Sequence, residues 1–338
     1  MSAIKNAMYR LSKPFLLMAL SFILITACYQ PVIQKPNIST ENSEGYAKCR
    51  VVQHKLGESC IPTHPKRIVI LDEYYLLDIV SALDIKPVGL ARCFLCIPSD
   101  TLSKFVVDIP DVGDIRTPSL EKILILKPDL ILGLEWQAKF YPLLSKIAPT
   151  VMIENPETSG FKKVLKHLAG ILDRSDRVEE ILAQYNRRIQ NFRQQLGEKL
   201  KTKTVSILSV SVSSFYIEKP EFTIYSQIMS DAGIQFIPAY KELKNNRTFL
   251  SIEILPDWDA DFLLVLQNSQ RQSEYLKFIF KQPIWLTLKA VQNKQVRVMI
   301  LDVWGPITAN RFIDDLYRYF INTPSICTLK SNLVAESR

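Results

Sequence analysis

Apolar and polar positions along this chain follow two rhythms. Short apolar runs (PKRIVILD, PVGLA, DLILG, TVMIE, TVSILSVS, DFLLVL and QVRVMI) read as buried strands bounded by turn residues, and SFYIE adds another. Between them YYLLDIVSALDI, SLEKILIL, KFYPLLSKIA, YSQIMSDAGI and ANRFIDDLYRYF carry helical spacing, and SIEIL begins a further helix. Strands alternating with helices predict an α/β fold with largely parallel sheets. Residues 159–199 carry no strand signal. There Asp176 and Glu179 have the spacing of a capping box, and Val178, Ile181, Leu182, Tyr185, Ile189, Phe192 and Leu196 predict one helix over 176–197. Such a helix reaches roughly 30 Å, about the width of a small domain. The order is therefore lobe, long helix, lobe.

The lobes share an internal echo. Ser119 and Glu121 open a helix stopped by Pro128, and Ser251 and Glu253 open one stopped by Pro256. Both serines are expected N-caps, and an acid in a first turn suits the helix dipole by ~0.3–1 kcal/mol. That dipole effect explains a carboxylate in either place. It does not explain why the element occurs once per lobe.

The N-terminus has its own pattern. Lys5, Arg10 and Lys13 precede the apolar run PFLLMALSFILITAC, the layout of a secretory signal rather than a membrane span. Ile25-Thr26-Ala27-Cys28 resembles the lipobox of bacterial lipoproteins, which implies removal of 1–27 and lipidation of Cys28. Residues 28–48 are polar and suit a flexible tether. The expected location is the periplasm or the extracytoplasmic face of the plasma membrane, anchored by lipid.

Export permits disulfides. CRVVQHKLGESC reads as a hairpin, and a register centred between His54 and Lys55 sets Cys49 opposite Cys60. Cys93 and Cys96 have C-x-x-C spacing, which suits a local disulfide, a redox pair or half a metal site. Cys327 lies in the tail without an evident partner.

A length of 338 residues with 47% hydrophobic and 22% charged content supports two globular cores. The net charge of +8 includes the three N-terminal cations, and the other basic residues are interleaved with acids. This reads as a mixed-charge surface, with no nucleic-acid partner. Only His54, His64 and His167 are available as histidines, and no zincin, nucleophile-elbow, P-loop or dinucleotide motif occurs. Asp257, Asp259 and Asp261 read as a solvated loop. No catalytic constellation emerges, so a binding protein is expected rather than an enzyme. Tyr74, Tyr75, Arg92, Trp136 and Trp304 all follow predicted strands, and the carboxyl ends of parallel strands face the ligand crevice. Aromatic faces with guanidinium donors suit a bulky, partly apolar ligand rich in carbonyl or anionic oxygen.

IPTHPKRIVILD, ALDIKPVGLA, DVGDIRTPSLEKILILKPDLILG, LSKIAPTV and WGPITANRFIDDL together resemble the substrate-binding proteins of iron-siderophore, haem and vitamin B12 ABC importers, from about Cys49 to Phe320. The resemblance implies two Rossmann-like α/β lobes joined by one long rigid helix, with ligand in a shallow cleft between them. The expected bounds are 49–165 for the first lobe, 166–200 for the helical region, 201–325 for the second lobe and 326–338 for the tail. It implies a ligand set of Tyr74, Tyr75, Arg92, Arg116, Trp136, Arg247 and Trp304. Glu121 and Glu253 match the acids that dock on a permease dimer carrying its ATPase subunits. Iron would be held by the siderophore, of hydroxamate or citrate-hydroxamate type, so neither an intrinsic cofactor nor a protein metal site is expected, and the chain is expected to be monomeric. Haem or cobalamin is the alternative ligand within the family. From a different class, the alternative is an exported thiol-redox protein using Cys93 and Cys96. Tyr225-Ser226 stands where many relatives have glycine.

Overall fold

In the apolar runs, alternate side chains leave opposite faces of a strand, so a run apolar throughout needs cover on both sides. Two six-stranded sheets satisfy this. The computed structural model describes residues 49–96, 98–197, 202–211, 213–267 and 270–321. The expected signal segment, Cys28, the tether and Cys327 lie outside them. Residues 47–338 cluster as one unit.

The described chain opens with the hairpin β1 (Cys49–His54) and β2 (Gly57–Pro62). Its register differs from expectation: His54 pairs with Gly57 and Val51 with Cys60, so the turn is centred between Lys55 and Leu56. Gly57 has φ +126°, a conformation glycine adopts freely, and this places the turn one residue later. Cys49 therefore faces Pro62, and its disulfide to Cys60 runs diagonally across the hairpin.

The first sheet contains β3 (Ile68–Ile70), β4 (Gly89–Arg92), β5 (Asp111–Asp114), β6 (Thr117–Pro118), β7 (Leu130–Leu134) and β8 (Thr150–Ile153) in the order β6-β5-β4-β3-β7-β8. All neighbours are parallel except β5 and β6. Ile68, Ile70, Leu130, Leu132, Val151 and Ile153 enter one core, while Val69, Ile131 and Met152 enter the core on the opposite face. The hairpin lies along β8: Lys55 N donates to Met152 O at 3.1 Å and Ser59 Oγ to Thr150 O at 2.8 Å. Arg50 donates from its guanidinium to the Gly170 and Ile171 carbonyls.

The second sheet holds β9 (Thr204–Val210), β10 (Phe215–Glu218), β11 (Gln235–Phe236), β12 (Arg247–Leu250), β13 (Phe262–Gln267) and β14 (Val296–Ile300). Its order is β12-β10-β9-β13-β14, with β11 pairing to β9. The same alternation sends Val205, Ile207, Leu264 and Leu266 to one core and Leu208, Val210, Leu263 and Val265 to the other.

The helix Ser175–Leu196 joins the lobes. It starts one residue before the expected position, and Arg174 rather than Asp176 is its N-cap, without a side-chain capping bond. Val178, Ile181 and Leu182 pack on the first core, whereas Tyr185, Ile189, Phe192 and Leu196 are buried in the second. Each large apolar side chain so buried contributes ~1.5–3 kcal/mol. Polar contacts reinforce the division. Arg177 pairs with Asp84 at 2.8 Å, Tyr185 Oη donates to Asp231 Oδ2 at 2.6 Å, and Arg188 pairs with Asp314. The preceding helix Phe161–Ile171 crosses the expected lobe boundary at 165, with Phe161 in the second core and Val164, Leu165 and Leu168 in the first.

A second tie joins the lobes away from the linker. Asp78, on the first-lobe helix Tyr75–Ala82, is fully buried. Its carboxylate accepts from Ile307 N (2.8 Å), Thr308 N (3.0 Å) and Thr308 Oγ1 (2.5 Å), at the start of the closing helix Pro306–Phe320. One lobe thereby caps a helix of the other. A Cβ on Gly305 would stand 2.7 Å from that carboxyl, so no larger residue fits there without displacing Asp78.

Candidate functional site

Strand ends set the first-lobe side of the site. After β3, Asp72 Oδ1 accepts from Tyr74 N (3.1 Å) and Leu76 N (3.0 Å), which turns the chain into the Tyr75–Ala82 helix and fixes both tyrosines. Burial raises the Asp72 carboxyl to about 6, despite these bonds. After β7 the chain enters a short 3-10 turn, Glu135–Phe140, and of the helix expected over KFYPLLSKIA only Tyr141–Leu144 is α-helical. Gln137 in this turn is fully buried. Its amide donates to Leu71 O (2.8 Å) and Ile115 O (2.7 Å), and its oxygen accepts from Leu134 N (2.9 Å). One side chain thus fastens the loops following β3, β5 and β7.

On this frame Trp304 meets the two tyrosines. Its ring lies 4.6 Å from that of Tyr74 and 5.2 Å, edge-on, from that of Tyr75. Its Nε1 donates to Asp302 Oδ1 at 2.9 Å, and Asp302 Oδ2 accepts from Thr101 Oγ1 at 2.8 Å. Because Trp304 and Asp302 follow β14, this aromatic group is built by both lobes. Tyr75 also bonds to Glu157, whose carboxyl is raised by burial.

Each lobe also carries one expected arginine that is already held by an acid. Arg116 Nε donates to Asp114 Oδ1 at 2.9 Å while its side chain stays 54% exposed. The guanidinium bonds hold the Asp114 carboxyl down at about 2. In the second lobe, Arg247 donates to Glu218 Oε1 through Nε (3.0 Å) and Nη2 (2.6 Å) and lies 4.6 Å over the Tyr216 ring. Its side chain remains 49% exposed, although Glu218 is buried. Tyr225, at the position noted for its missing glycine, is buried and donates to Glu218 Oε2 at 2.8 Å.

The remaining expected residues stand differently. Arg92 turns toward the 103–109 loop, with Nη2 3.4 Å from Val106 O and 3.3 Å from Ile109 O. Trp136 is 44% exposed beside Gln137. Glu121 and Glu253 are both exposed. Ser119 caps the helix Leu120–Ile125 by accepting from Lys122 N at 3.3 Å. Ser251 makes no such backbone cap. The Glu253 carboxylate is held below its ordinary range by a bond from its own backbone N–H and then by one from the Ser251 hydroxyl. Pro256 lies inside the 3-10 helix Ile252–Trp258 and does not end it. The echo between the lobes therefore holds for the acids and not for the caps.

A cavity of about 410 Å³ opens beside the aromatic group, between residues 98–101 and residues 298–304 and the closing helix. It shares only Trp304 with the expected set. The arginines lie outside it, on open surface. Sequence reasoning missed Asp72, Gln137, Asp114, Glu157 and Glu218. Asp114, two residues before Arg116, was available from spacing alone.

Residues 97–300 match the family model described as periplasmic binding protein. The protein named "Probable siderophore-binding lipoprotein YfiY" of Bacillus subtilis (strain 168) is 32% identical over 302 residues, spanning 84% of this chain and 92% of that protein. The Fe(3+)-citrate-binding protein YfmC of the same organism is 29% identical over 304 residues, spanning 85% of this chain and 90% of its own length. Among solved structures, Staphylococcus aureus SirA complexed with staphyloferrin B superposes with a TM-score of 0.69 at 26% identity, covering 82% of this chain and 100% of that one.

Proposed function

The chain belongs to the periplasmic binding protein family, and from that premise we propose that it captures a ferric siderophore and delivers it to an ABC importer. It acts by binding, not by catalysis, and carries no cofactor of its own. The observation that carries the ligand assignment is one half-exposed guanidinium on each lobe, Arg116 and Arg247, in a protein whose Tyr74–Tyr75–Trp304 group is built by both lobes. An oxygen-rich ferric chelate offers carbonyl and anionic oxygens to the arginines and apolar arms to the rings. Hard oxygen donors on the chelate satisfy iron, and among the described residues no three His, Cys, Asp or Glu side chains gather as a metal cage.

Hydroxamate or citrate-hydroxamate chelates are the ligand class that this donor set favours. Cys28 would carry the lipid that holds the mature protein at the extracytoplasmic face, and Glu121 and Glu253 would dock on the permease dimer. Relatives named for siderophore and ferric-citrate binding support a ferric chelate as the ligand.

Tryptophan fluorescence titration with a panel of ferric chelates, haem and cobalamin tests the reading. Quenching by a ferric hydroxamate or citrate-hydroxamate is expected. Tight binding of haem or cobalamin, with no response to any ferric chelate, overturns it.

A further inference from the structure

A turn closed by the Cys93–Cys96 disulfide stands at the carboxyl end of β4, directly after Arg92. Cys96 N donates to Cys93 O at 3.3 Å, so the turn is held internally as well as through sulfur. Two carboxylates fix its base. Glu73 accepts from Cys93 N, and Asp114 Oδ2 accepts from Phe94 N at 3.2 Å. Asp114 is also the carboxylate that holds Arg116, through Oδ1. The turn and the first-lobe guanidinium are therefore positioned by one side chain.

What this clamped turn presents is apolar. Phe94 is 62% exposed and Leu95 is 76% exposed. A free loop could fold two such side chains against the protein, whereas a four-residue ring pinned at three backbone positions holds them in water. Adjacent large apolar groups kept exposed beside a polar site mark a contact surface. Next to them stands an exposed cation. The combination fits a ligand that is charged or carbonyl-rich at one place and hydrocarbon at the next.

We propose that Phe94 and Leu95, held outward by the Cys93–Cys96 disulfide, form the apolar first-lobe contact of the site and select ferric chelates with hydrocarbon arms over small hydrophilic ones. Arg116 takes the oxygen-rich centre while the turn covers an arm. This assignment rests on the siderophore-binding reading and adds to it the part of the ligand that decides selectivity.

The test uses the full chain, titrated by intrinsic fluorescence with ferrioxamine, a trihydroxamate with polymethylene spacers, and with ferric citrate. Phe94→Ser/Leu95→Ser is expected to weaken ferrioxamine binding about tenfold, equivalent to about 1.4 kcal/mol, and to change ferric citrate binding less than twofold. Cys93→Ser/Cys96→Ser is expected to do the same by releasing the turn. Should that variant fail to fold, the exposed pair decides alone, since its replacement removes no core packing. Unchanged ferrioxamine affinity, or equal losses for both chelates, overturns the role of the turn and leaves the siderophore reading standing. A wild-type protein that binds neither of these chelates overturns this inference, and only the absence of a response to every ferric chelate in the panel overturns the siderophore reading as well.

Discussion

Replacing Asp78 with alanine leaves the Ile307 and Thr308 amides and the Thr308 hydroxyl facing an apolar space where a carboxylate stood. A buried donor left without its partner costs ~1–3 kcal/mol. Against this stands the relief of no longer burying a charge, which is itself several kcal/mol. The balance predicts a net destabilisation of about 3 kcal/mol for Asp78→Ala. For Asp78→Asn, which keeps one acceptor oxygen but turns an amide donor toward other donors, about 2 kcal/mol is expected. Urea unfolding followed by tryptophan fluorescence measures both, provided that the slope with denaturant is unchanged. The pH dependence is the sharper test. Burial raises the Asp78 carboxyl to about 6, against about 3.9 in an unfolded chain. Between those values the folded protein binds the extra proton, so the contribution of Asp78 to stability is smallest above pH 6 and grows as pH falls toward 4. Two units correspond to a ceiling of about 3 kcal/mol. Asp72, raised in the same direction, titrates in both proteins and drops out of the wild-type minus Asp78→Asn difference. If Asp78→Ala costs under about 1 kcal/mol, the interlobe cap is not the tie described here, and if that difference stays flat from pH 7 to pH 4, burial does not outweigh the cap bonds at the Asp78 carboxyl.

Two further outcomes test the proposed roles. Glu121→Ala and Glu253→Ala, at exposed positions, are expected to leave chelate affinity and unfolding within experimental error while each lowers cellular uptake several-fold. Uptake equal to wild type in both variants removes the docking assignment. Arg247→Leu leaves the buried Glu218 carboxylate with the Tyr225 hydroxyl as its remaining side-chain donor, and a loss of about 1–2 kcal/mol follows, moderated by the half-exposed guanidinium. Adding Glu218→Gln should restore stability without restoring chelate affinity. Recovery of both together means that Arg247 serves the fold and not the ligand.

The runs that sequence reading identified best are those that the sheets bury on both faces. All of Leu130–Leu134 and Thr150–Ile153 is buried, and such segments are apolar regardless of their neighbours. The linker was legible for a related reason: its apolar stripe is long enough to specify one helix, Ser175–Leu196. Asp111–Asp114 and Arg247–Leu250 were not legible as strands. Each is short and rich in polar residues, and each is extended because a neighbour offers an edge. At the site, Tyr74, Tyr75 and Trp304 showed through because they follow strands that were legible, whereas Arg116 and Arg247 came only from the family resemblance. Their carboxylate partners did not show through, since Glu218 meets Arg247 across a strand pair and Glu157 meets Tyr75 across the chain. Asp78 was passed over in the helix YYLLDIVSALDI, although a charge set in so apolar a run needs a partner from elsewhere.

The amino-terminal hairpin has a consequence for behaviour at high concentration. β8 is the last strand of its sheet, and the bare edge of a largely apolar strand such as TVMI is a template on which a second molecule can add a strand. Lys55 and Ser59 already occupy the Met152 and Thr150 carbonyls, while Cys49 and Cys60 keep the hairpin from peeling away. That disulfide thereby helps keep this sheet edge covered against strand addition by a second molecule.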